Sequence, residues 1–373
     1  MNSFPEDLLA IILSKLPIKI FTALKLVCKQ WKSIVESPYF RDLFQSMDQN
    51  SDSSSWSLMH YGNEKEVIAH YRFNTWGLER SLGSYITSFL TKKFESQRNN
   101  YRVWAYSTDA GLILISEVPM HVNNRSLYVA NPVSQECVKI PPHHKGDSCP
   151  LGIATRTENG VLLDYKVVLF GHSDEESLLI YSSETGLWTF DTVHLSLFGF
   201  YNQTPISLHG SIHWIATNGN QDHVAVSIDF YATGTSSVQG RVTSLPDSGQ
   251  QFDRSFSTCQ GSLMYMRIVS VTKADGTVED KLCVWRLKSG EWQLVSTFIY
   301  TGLKYFPMGI NPFDANTIYF WSKEDRSLLS FNVRNEKFVL ERKLKHSRDL
   351  TGSFFSSFVL PQWLHKIPKT VRE

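Results

Sequence analysis

The sequence is poor in cysteine and carries almost no excess of charge of either sign. Its 373 residues include five scattered cysteines without a CxxC pair, a pattern that favours reduced thiols over a disulfide framework. Lysine and arginine number 37 against 36 aspartates and glutamates, so no long-range field attracts nucleic acid or an anionic membrane surface. We therefore expect a protein of the cytoplasm, the nucleus or both, with neither nucleic acid nor membrane as a partner.

Long hydrophobic runs are also missing near the start of the chain. The apolar run from Leu8 to Leu13 is too short to cross a bilayer. It follows acidic rather than basic residues and leads to no recognisable cleavage site. We therefore expect neither a membrane span nor a signal peptide.

Motifs of catalytic and cofactor sites are missing as well. The sequence contains no G-x-S-x-G, P-loop, G-x-G-x-x-G or H-E-x-x-H pattern. His143 and His144 lie between Cys137 and Cys149, but their spacing does not match a tetrahedral zinc site and is typical of a polar loop. We therefore expect no metal, no cofactor and no catalytic residues in this chain.

The first forty-four residues carry the strongest pattern in the sequence. Pro5 stands where a first helical turn tolerates its missing N–H, and Glu6 and Asp7 stand where the positive end of a helix favours acidic side chains. Apolar residues follow at helical spacing: Leu9, Ile12, Leu13 and Leu16. The pattern predicts an amphipathic helix that ends at Pro17.

A second apolar stripe follows this helix. It consists of Phe21, Leu24, Cys28, Trp31 and Val35. The spacing predicts one further helix, closed by Ser37 and Pro38. Fewer than fifty residues with apolar side chains on more than one side of each helix need a partner surface to complete their core.

These residues resemble an F-box, the module that ties a substrate receptor to a Skp-type adaptor of a cullin-RING ubiquitin ligase. The matching words, in order, are FPEDLL from residue 4, ILSKLP from residue 12, VCKQW from residue 27 and SPYF from residue 37. The resemblance implies a docking surface, or its immediate support, made of Pro5, Leu8, Ile12, Leu16, Pro17, Val27 and Trp31. An ordinary helical hairpin or a DNA-binding helix-turn-helix is the alternative, but Lys25, Lys29 and Lys32 have the spacing of a solvated face rather than of a DNA-reading helix.

A polar segment, MDQNSDSSS, at residues 47–55 predicts a linker, and the periodicity of the sequence changes after it. Short runs of aromatic and β-branched residues then alternate with turn residues, which is typical of strands. Only the stretch from Leu82 to Phe94 is ambiguous between strand and helix. Hairpin patterns with two aromatic residues seven positions apart recur at Tyr181 and Trp188, Trp285 and Trp292, and Phe331 and Phe338. Their spacing of about fifty residues is that of one four-stranded propeller blade.

The length of this β region predicts a propeller of six blades. The sixth blade is assembled from residues 56–73 and 353–360, so that the two chain ends close the ring and remove exposed sheet edges. Five tryptophans recur at similar repeat positions, which favours packing between sheets over a sugar-binding cleft. They are Trp188, Trp214, Trp285, Trp292 and Trp321.

The same region resembles the F-box-associated, kelch-like domain of plant-type F-box proteins. The matching words are GLIL from residue 111, NPVS from 131, DYKVV from 164, IYSSETGLW from 180 and HGSIHW from 209. The predicted fold is thus a small all-α F-box followed by a large all-β propeller. The predicted boundaries are 1–46 for the F-box, 47–55 for the linker, 56–361 for the propeller and 362–373 for a C-terminal tail.

The two resemblances together imply a non-catalytic substrate-recognition subunit of an SCF-type ubiquitin ligase. Its partners would be a Skp-type adaptor, through it a cullin scaffold, and a target protein destined for proteasomal degradation. The longer polar connections expected to hold the target are 142–150, 171–177, 217–223, 232–241 and 273–280. Two alternatives remain: a propeller hydrolase or lectin, and an F-box scaffold that works outside any ligase.

Overall fold

A computed structural model describes most of the chain. The described residues are 5–48, 56–60, 65–70, 82–94, 101–117, 126–143, 148–158, 161–171, 177–193, 195, 197–200, 205–232, 238, 240–246, 254–276, 278–301, 305–322, 324–343, 355–360, 363 and 366–368. Residues 49–55 of the predicted linker lie outside them, whereas Met47 and Asp48 still belong to a helix.

Four helices form the N-terminal region: α1 (Glu6–Ser14), α2 (Ile18–Leu24), α3 (Lys29–Glu36) and α4 (Pro38–Asp48). Helix α1 starts directly after Pro5, carries Glu6 and Asp7 in its first turn, and ends before Pro17. Pro17 in turn precedes the first residue of α2. The predicted first helix is thus present, with proline at the boundaries where it costs no hydrogen bond.

The prediction of a single second helix is wrong. The chain leaves the helix after Leu24 and returns to it at Lys29, with Cys28 in an extended conformation (φ −156°, ψ 164°). Leu24 and Trp31 nevertheless pack on the same core from two separate helices, so the apolar spacing continues across the break. Periodicity alone therefore could not reveal it. After Ser37, Pro38 starts α4 instead of ending the helical region.

Antiparallel sheets make up the rest of the described chain. The first contains β1 (Trp56–His60), β2 (Lys65–His70) and β24 (Phe355–Val359), and helix α5 (Leu82–Lys93) follows β2. The second contains β3 (Tyr101–Tyr106), β4 (Ile113–Glu117), β5 (Leu127–Asn131) and β6 (Glu136–Ile140). The third contains β7 (Ser148–Glu158), β8 (Val161–Gly171), β9 (Ser177–Ser182) and β10 (Trp188–Thr192).

The remaining strands form three further sheets. The fourth contains β11 (Leu197–Phe200), β12 (Ile206–Leu208), β13 (Ser211–Asn218), β14 (His223–Asp229) and β15 (Gly240–Ser244). The fifth contains β16 (Arg254–Cys259), β17 (Ser262–Thr272), β18 (Val278–Lys288) and β19 (Glu291–Thr301). The sixth contains β20 (Tyr305–Ile310), β21 (Thr317–Ser322), β22 (Ser327–Asn332) and β23 (Lys337–Lys343).

One strand of each sheet contacts its counterparts in the two neighbouring sheets. The circular order of these inner strands is β24, β3, β7, β12, β16, β20 and again β24. The chain ends share one sheet, as predicted, with Trp56 opposite Val359. This ring of sheets is the arrangement expected of a β-propeller, and the number of blades in the whole chain stays a prediction.

The inner strands end on a common side of the ring. The Thr108 hydroxyl donates a hydrogen bond to the Ser207 carbonyl, and the Gln260 N–H donates one to the Pro312 carbonyl, at 2.7 Å. We call this side the C-terminal face and the opposite side, where inner strands begin, the N-terminal face. The chain enters β1 at Trp56 and leaves β24 at Leu360 on the C-terminal face.

Two of the three predicted aromatic hairpins have the expected register, and one does not. Trp188 lies opposite Tyr181, and Phe338 lies opposite Phe331. Trp292, however, lies opposite Leu287 rather than Trp285. The strands are joined by a two-residue turn at Ser289 and Gly290, whose φ angles of 53° and 87° suit a tight hairpin. The predicted six-residue turn would have paired Trp285 with Trp292.

The ambiguous stretch from Leu82 to Phe94 is mainly helical. Helix α5 buries one face, which includes Leu82, Ile86 and Phe89. These side chains belong to one hydrophobic cluster with the buried side chains of α1–α4 and with Met59 and Phe358 of the first sheet. The helical region and the first sheet therefore share a core.

Candidate protein-docking site

The centre of the N-terminal helices is an aromatic cluster around Phe21. The Phe21 ring meets Phe40 edge-on at 5.3 Å and Phe44 at 5.2 Å between ring centroids. Aliphatic side chains from α1, α2 and α3 fill the remaining volume: Ala10, Leu13, Ile18, Ile34 and Val35. The side chains that are exposed on these helices are therefore not needed to fill this core.

A serine between α3 and α4 helps to position the rings of Phe40 and Phe44. The Ser37 Oγ donates a hydrogen bond to the Ile34 carbonyl at 2.7 Å and accepts one from the Phe40 N–H at 3.1 Å. The hydroxyl thus closes the end of α3 and caps the start of α4. The turn it stabilises directs Phe40 and Phe44 back toward Phe21.

Large apolar side chains cover part of the outer surface of the same helices. The exposed apolar set, as we call it, consists of Leu8, Ile11 and Ile12 on α1, Ile20 on α2, and Leu26 and Val27 in the following turn. Leu8, Ile11 and Ile12 share one face of α1 because their spacing is i, i+3, i+4. Leu26 is 90% exposed and Val27 is 64% exposed. Monomeric soluble proteins rarely concentrate exposed apolar side chains in this way, so the exposed apolar set is the candidate docking surface of these helices.

The structure divides the seven predicted docking residues into two groups. Pro5, Leu8, Ile12 and Val27 are exposed. Leu16, Pro17 and Trp31 are half-buried, and Leu16 and Trp31 pack against the helical core. The first group therefore lies at the surface and Leu16 and Trp31 lie against the core, while the docking role of all seven residues stays a prediction.

Sequence reasoning missed Ile11, Ile20 and Leu26. All three are exposed apolar residues next to positions of the helical stripe. Their signal in the sequence is that none of the three belongs to a predicted apolar stripe, so no predicted core position accounts for them.

The predicted target-binding loops lie mainly on one side of the ring. The connections 142–150, 171–177, 217–223 and 273–280 join strands at the N-terminal face, as the pairing of Ser148 with Gly171 and of Thr217 with His223 indicates. The connection 232–241 lies at the C-terminal face, where Gly240 pairs with Ile228. Parts of these connections fall outside the described residues.

A small cavity lies among the inner strands near the centre of the ring. Its lining combines five hydroxyl-bearing side chains and five apolar ones: Thr108, Ser257, Thr258, Ser356, Ser357, Leu58, Ile206, Phe256, Met308 and Phe355. Converging carboxylates, which a propeller hydrolase would need, do not belong to this lining. The cavity therefore offers no support for the enzyme alternative.

A charged cluster lies between the third and fourth sheets. Arg156 Nη2 lies 2.5 Å from Asp164 Oδ2, and the Lys166 ammonium donates a hydrogen bond to the Phe230 carbonyl. The Tyr231 ring packs under both cations, with Lys166 Nζ at 4.5 Å from its centroid. Burial raises the pKa of the Tyr231 hydroxyl and lowers the pKa of Lys166. These contacts join two neighbouring sheets, a structural role.

The five tryptophans do not meet in one cleft. Trp214 and Trp321 are buried in two different clusters, Trp188 packs on a third, and Trp285 and Trp292 pack on a fourth beside Tyr265. Each ring fills space between sheets, as the repeat positions predicted.

In the predicted polar loop, His143 also contacts neighbouring side chains. His143 Nε2 is hydrogen bonded to Ser148 Oγ at 3.1 Å, and its ring packs on Trp188. His144 lies outside the described residues. Within the described ranges, no three histidine, cysteine or acidic residues gather as metal ligands would. No helix in the described part of the chain is long and apolar enough to cross a membrane.

Comparison with known proteins assigns both regions. An F-box domain model matches residues 1–43, and the model "F-box protein At3g26010-like, beta-propeller" matches residues 54–355. The F-box protein At3g28330 of Arabidopsis thaliana is 50% identical over 397 aligned residues, which cover 100% of this chain and 98% of that protein.

Two further Arabidopsis relatives extend this result. The putative F-box protein At3g28280 is 70% identical over 284 residues, covering 75% of this chain and 91% of the relative. The F-box protein At3g26010 is 34% identical, covering 87% of this chain and 76% of the relative. These matches confirm the predicted combination of an F-box with a β-propeller. The chain belongs to the family of F-box proteins that carry an At3g26010-like β-propeller.

Proposed function

We propose that this F-box protein is the substrate-recognition subunit of an SCF-type cullin-RING ubiquitin ligase. The observation that carries the proposal is the exposed apolar set, whose side chains lie outside the helical core that contains Phe21, Phe40 and Phe44. Such a surface is costly in water and is stabilised when a partner covers it. A Skp-type adaptor is the partner that an F-box implies.

The two regions would divide the work of the subunit. The F-box would bind the adaptor and, through it, a cullin, while the propeller would hold the target protein. Most of the longer polar connections lie on the N-terminal face, whereas the chain enters and leaves the propeller on the C-terminal face. We therefore assign target binding to the N-terminal face. Catalysis of ubiquitin transfer would belong to other subunits, in the cytoplasm or the nucleus.

Covering the exposed apolar set would contribute to the binding free energy. Fully burying one exposed large aliphatic side chain contributes about 1.5–3 kcal/mol. Leu8, Ile12 and Val27 are 48%, 53% and 64% exposed, so covering these three would contribute about 2–5 kcal/mol before the costs of association are subtracted. The other members of the set would add to this contribution.

The test is adaptor binding by a variant that changes only exposed residues. The double variant Leu8→Asp/Ile12→Asp places two charges in the exposed apolar set without altering the buried core. We expect its affinity for a purified Skp-type adaptor to fall at least a hundred-fold, measured by calorimetry. The matched control is Leu163→Asp, which changes a similarly exposed leucine on β8 of the propeller and should bind normally.

The outcome separates the alternatives. Unchanged adaptor affinity in the double variant would overturn the proposal for the F-box. Adaptor binding without recruitment of a cullin, measured by affinity purification from cells, would favour the scaffold alternative. Target proteins should remain in the purification of the double variant, while adaptor and cullin should disappear.

A further inference from the structure

Trp363, near the C-terminal end of the chain, lies in the aromatic cluster of the F-box. Its ring stacks on Phe21 at 5.6 Å with an angle of 29° between the ring planes. It also meets Phe44 at 5.7 Å and Phe40 at 6.1 Å, both at steep angles. A residue that follows the last strand of the propeller thus contacts all three phenylalanines at the centre of a domain formed by the first forty-eight residues.

The chain on both sides of Trp363 is fixed to the propeller. Leu360, directly after β24, is buried in the same hydrophobic cluster. Ile367 is buried among side chains of the second and third sheets, and its N–H donates a hydrogen bond to Glu136 Oε2 at 3.1 Å. The propeller therefore limits where Trp363 can lie, because Leu360 directly follows β24 and Ile367 is held on the second and third sheets.

The contact lies away from the surface proposed for the adaptor. Trp363 touches buried rings on α2 and α4, whereas Leu8, Ile12 and Val27 are exposed. An adaptor can therefore cover the exposed apolar set while Trp363 stays in place. The F-box therefore has two apolar faces: Trp363 covers one, and the exposed apolar set forms the other.

We propose that Trp363 is a positioning residue that completes the F-box core and holds the F-box in one orientation on the C-terminal face of the propeller. Stacked and edge-on aromatic contacts add to the energy of burial and depend on geometry, so the ring resists rotation of one region against the other. The residues that precede β1 then need not set the orientation. The consequence for a ligase, a constant distance between adaptor and target, rests on the proposed function, whereas the contact itself does not.

Hydrogen exchange of the full-length protein tests the contact. In Trp363→Ala we expect amide exchange in α2 and α4 to accelerate at least ten-fold, because both helices lose the ring that packs between them. Exchange in the strands of the third to sixth sheets should not change. Trp363→Phe, which keeps an aromatic ring, should restore most of the protection.

A matched control separates this effect from a general loss of stability. Trp188 is also half-buried but packs on the third sheet, so Trp188→Ala should leave α2 and α4 unchanged. Small-angle scattering of the same proteins should show a larger radius of gyration for Trp363→Ala and not for Trp188→Ala. Unchanged exchange in α2 and α4 would overturn the contact, and an unchanged radius of gyration would overturn the fixed orientation.

A double variant keeps the test decisive if Trp363→Ala does not fold. Phe21→Leu and Trp363→Leu each remove one ring of the same stack. If the contact holds, exchange in α4 should accelerate less in the combined variant than the product of the two single effects. Effects that multiply would contradict the proposal. Failure of adaptor binding in the unmodified protein would overturn the ligase function and leave these exchange results unaffected.

Discussion

The F-box and the propeller of this protein differ in how densely they expose large aliphatic side chains. The F-box concentrates six of them within residues 8–27 and takes Trp363 from a distant segment into its core. The propeller is several times longer; it exposes aliphatic side chains such as Leu187 as well, but it buries large rings such as Tyr265 and Phe320 in the clusters between its sheets. A domain of fewer than fifty residues buries too little surface to be self-sufficient, whereas a ring of sheets supplies its own partners. This difference is why we place the proposed adaptor site on the F-box.

The largest effect is expected inside the propeller. Trp214 is 2% exposed and meets Phe170 edge-on at 5.7 Å. Trp214→Ala should therefore lower the free energy of unfolding by about 3–5 kcal/mol, measured by urea denaturation. Adaptor affinity of the folded variant should stay within about two-fold of the unmodified protein. A comparable loss of adaptor affinity would break the distinction between the two regions.

A pH effect should also be confined to the propeller, because residues 1–48 contain no histidine. Burial, with a smaller contribution from His209, lowers the pKa of His213 to about 4, and its Nδ1 lies 2.7 Å from Ser227 Oγ. The unfolded chain takes up a proton below about pH 6.5, whereas the folded protein does not until about pH 4. Stability should therefore fall by about 2–3 kcal/mol between these pH values.

His213→Gln isolates this contribution, since glutamine does not titrate. The difference in unfolding free energy between the variant and the unmodified protein should change across pH 6.5 to 4 and be constant above pH 7. A difference that does not depend on pH would show that folding does not lower the pKa of His213.

The F-box should show the reverse behaviour, a loss of binding without a loss of stability. Leu26 is 90% exposed, so Leu26→Ala should alter the free energy of unfolding by less than about 0.5 kcal/mol. Its affinity for a Skp-type adaptor should fall about ten-fold, because a buried leucine contributes about 1.5–3 kcal/mol. Leu187→Ala, at an exposed leucine of the propeller, is the control and should bind the adaptor normally.

The smallest effect concerns the cap of α4. Ser37→Ala removes the acceptor of the Phe40 N–H and should cost about 1 kcal/mol of local stability, measured as faster hydrogen exchange in α4. Ser46→Ala removes a hydroxyl that donates only to the Leu43 carbonyl within the same helix, and it should leave exchange unchanged. Equal effects of the two substitutions would show that the cap does not stabilise the helix.

The sequence predicted those features that depend on local chemistry. Proline at residues 5 and 17 marked the boundaries of α1, and alternating aromatic residues marked hairpins such as the one that pairs Tyr181 with Trp188. The joining of both chain ends in one sheet was also predicted, because a ring without closure would expose two edges. The boundaries at residues 46, 55 and 361 and the count of six blades stay predictions.

Features that depend on the path of the whole chain were not predictable. The break at residues 25–28 is hidden because Leu24 and Trp31 keep helical spacing across it. The sequence around Phe21 and the sequence around Trp363 do not indicate that these rings are in contact. The contact forms only when the ring of sheets brings the two distant segments together. Leu8, Ile12 and Val27 were named from the family motif, but their exposure depends on which face the core leaves open.

The sheet that joins β1 to β24 can be completed only late in the synthesis of the protein. A ribosome produces β1 about three hundred residues before β24, which at about 5–20 residues per second leaves the edge of β1 without this neighbour for roughly 15–60 s. During that interval one edge of β1 is open to pairing with another chain, as unpaired strand edges are. Closure of the first sheet therefore waits until β24 has been synthesised.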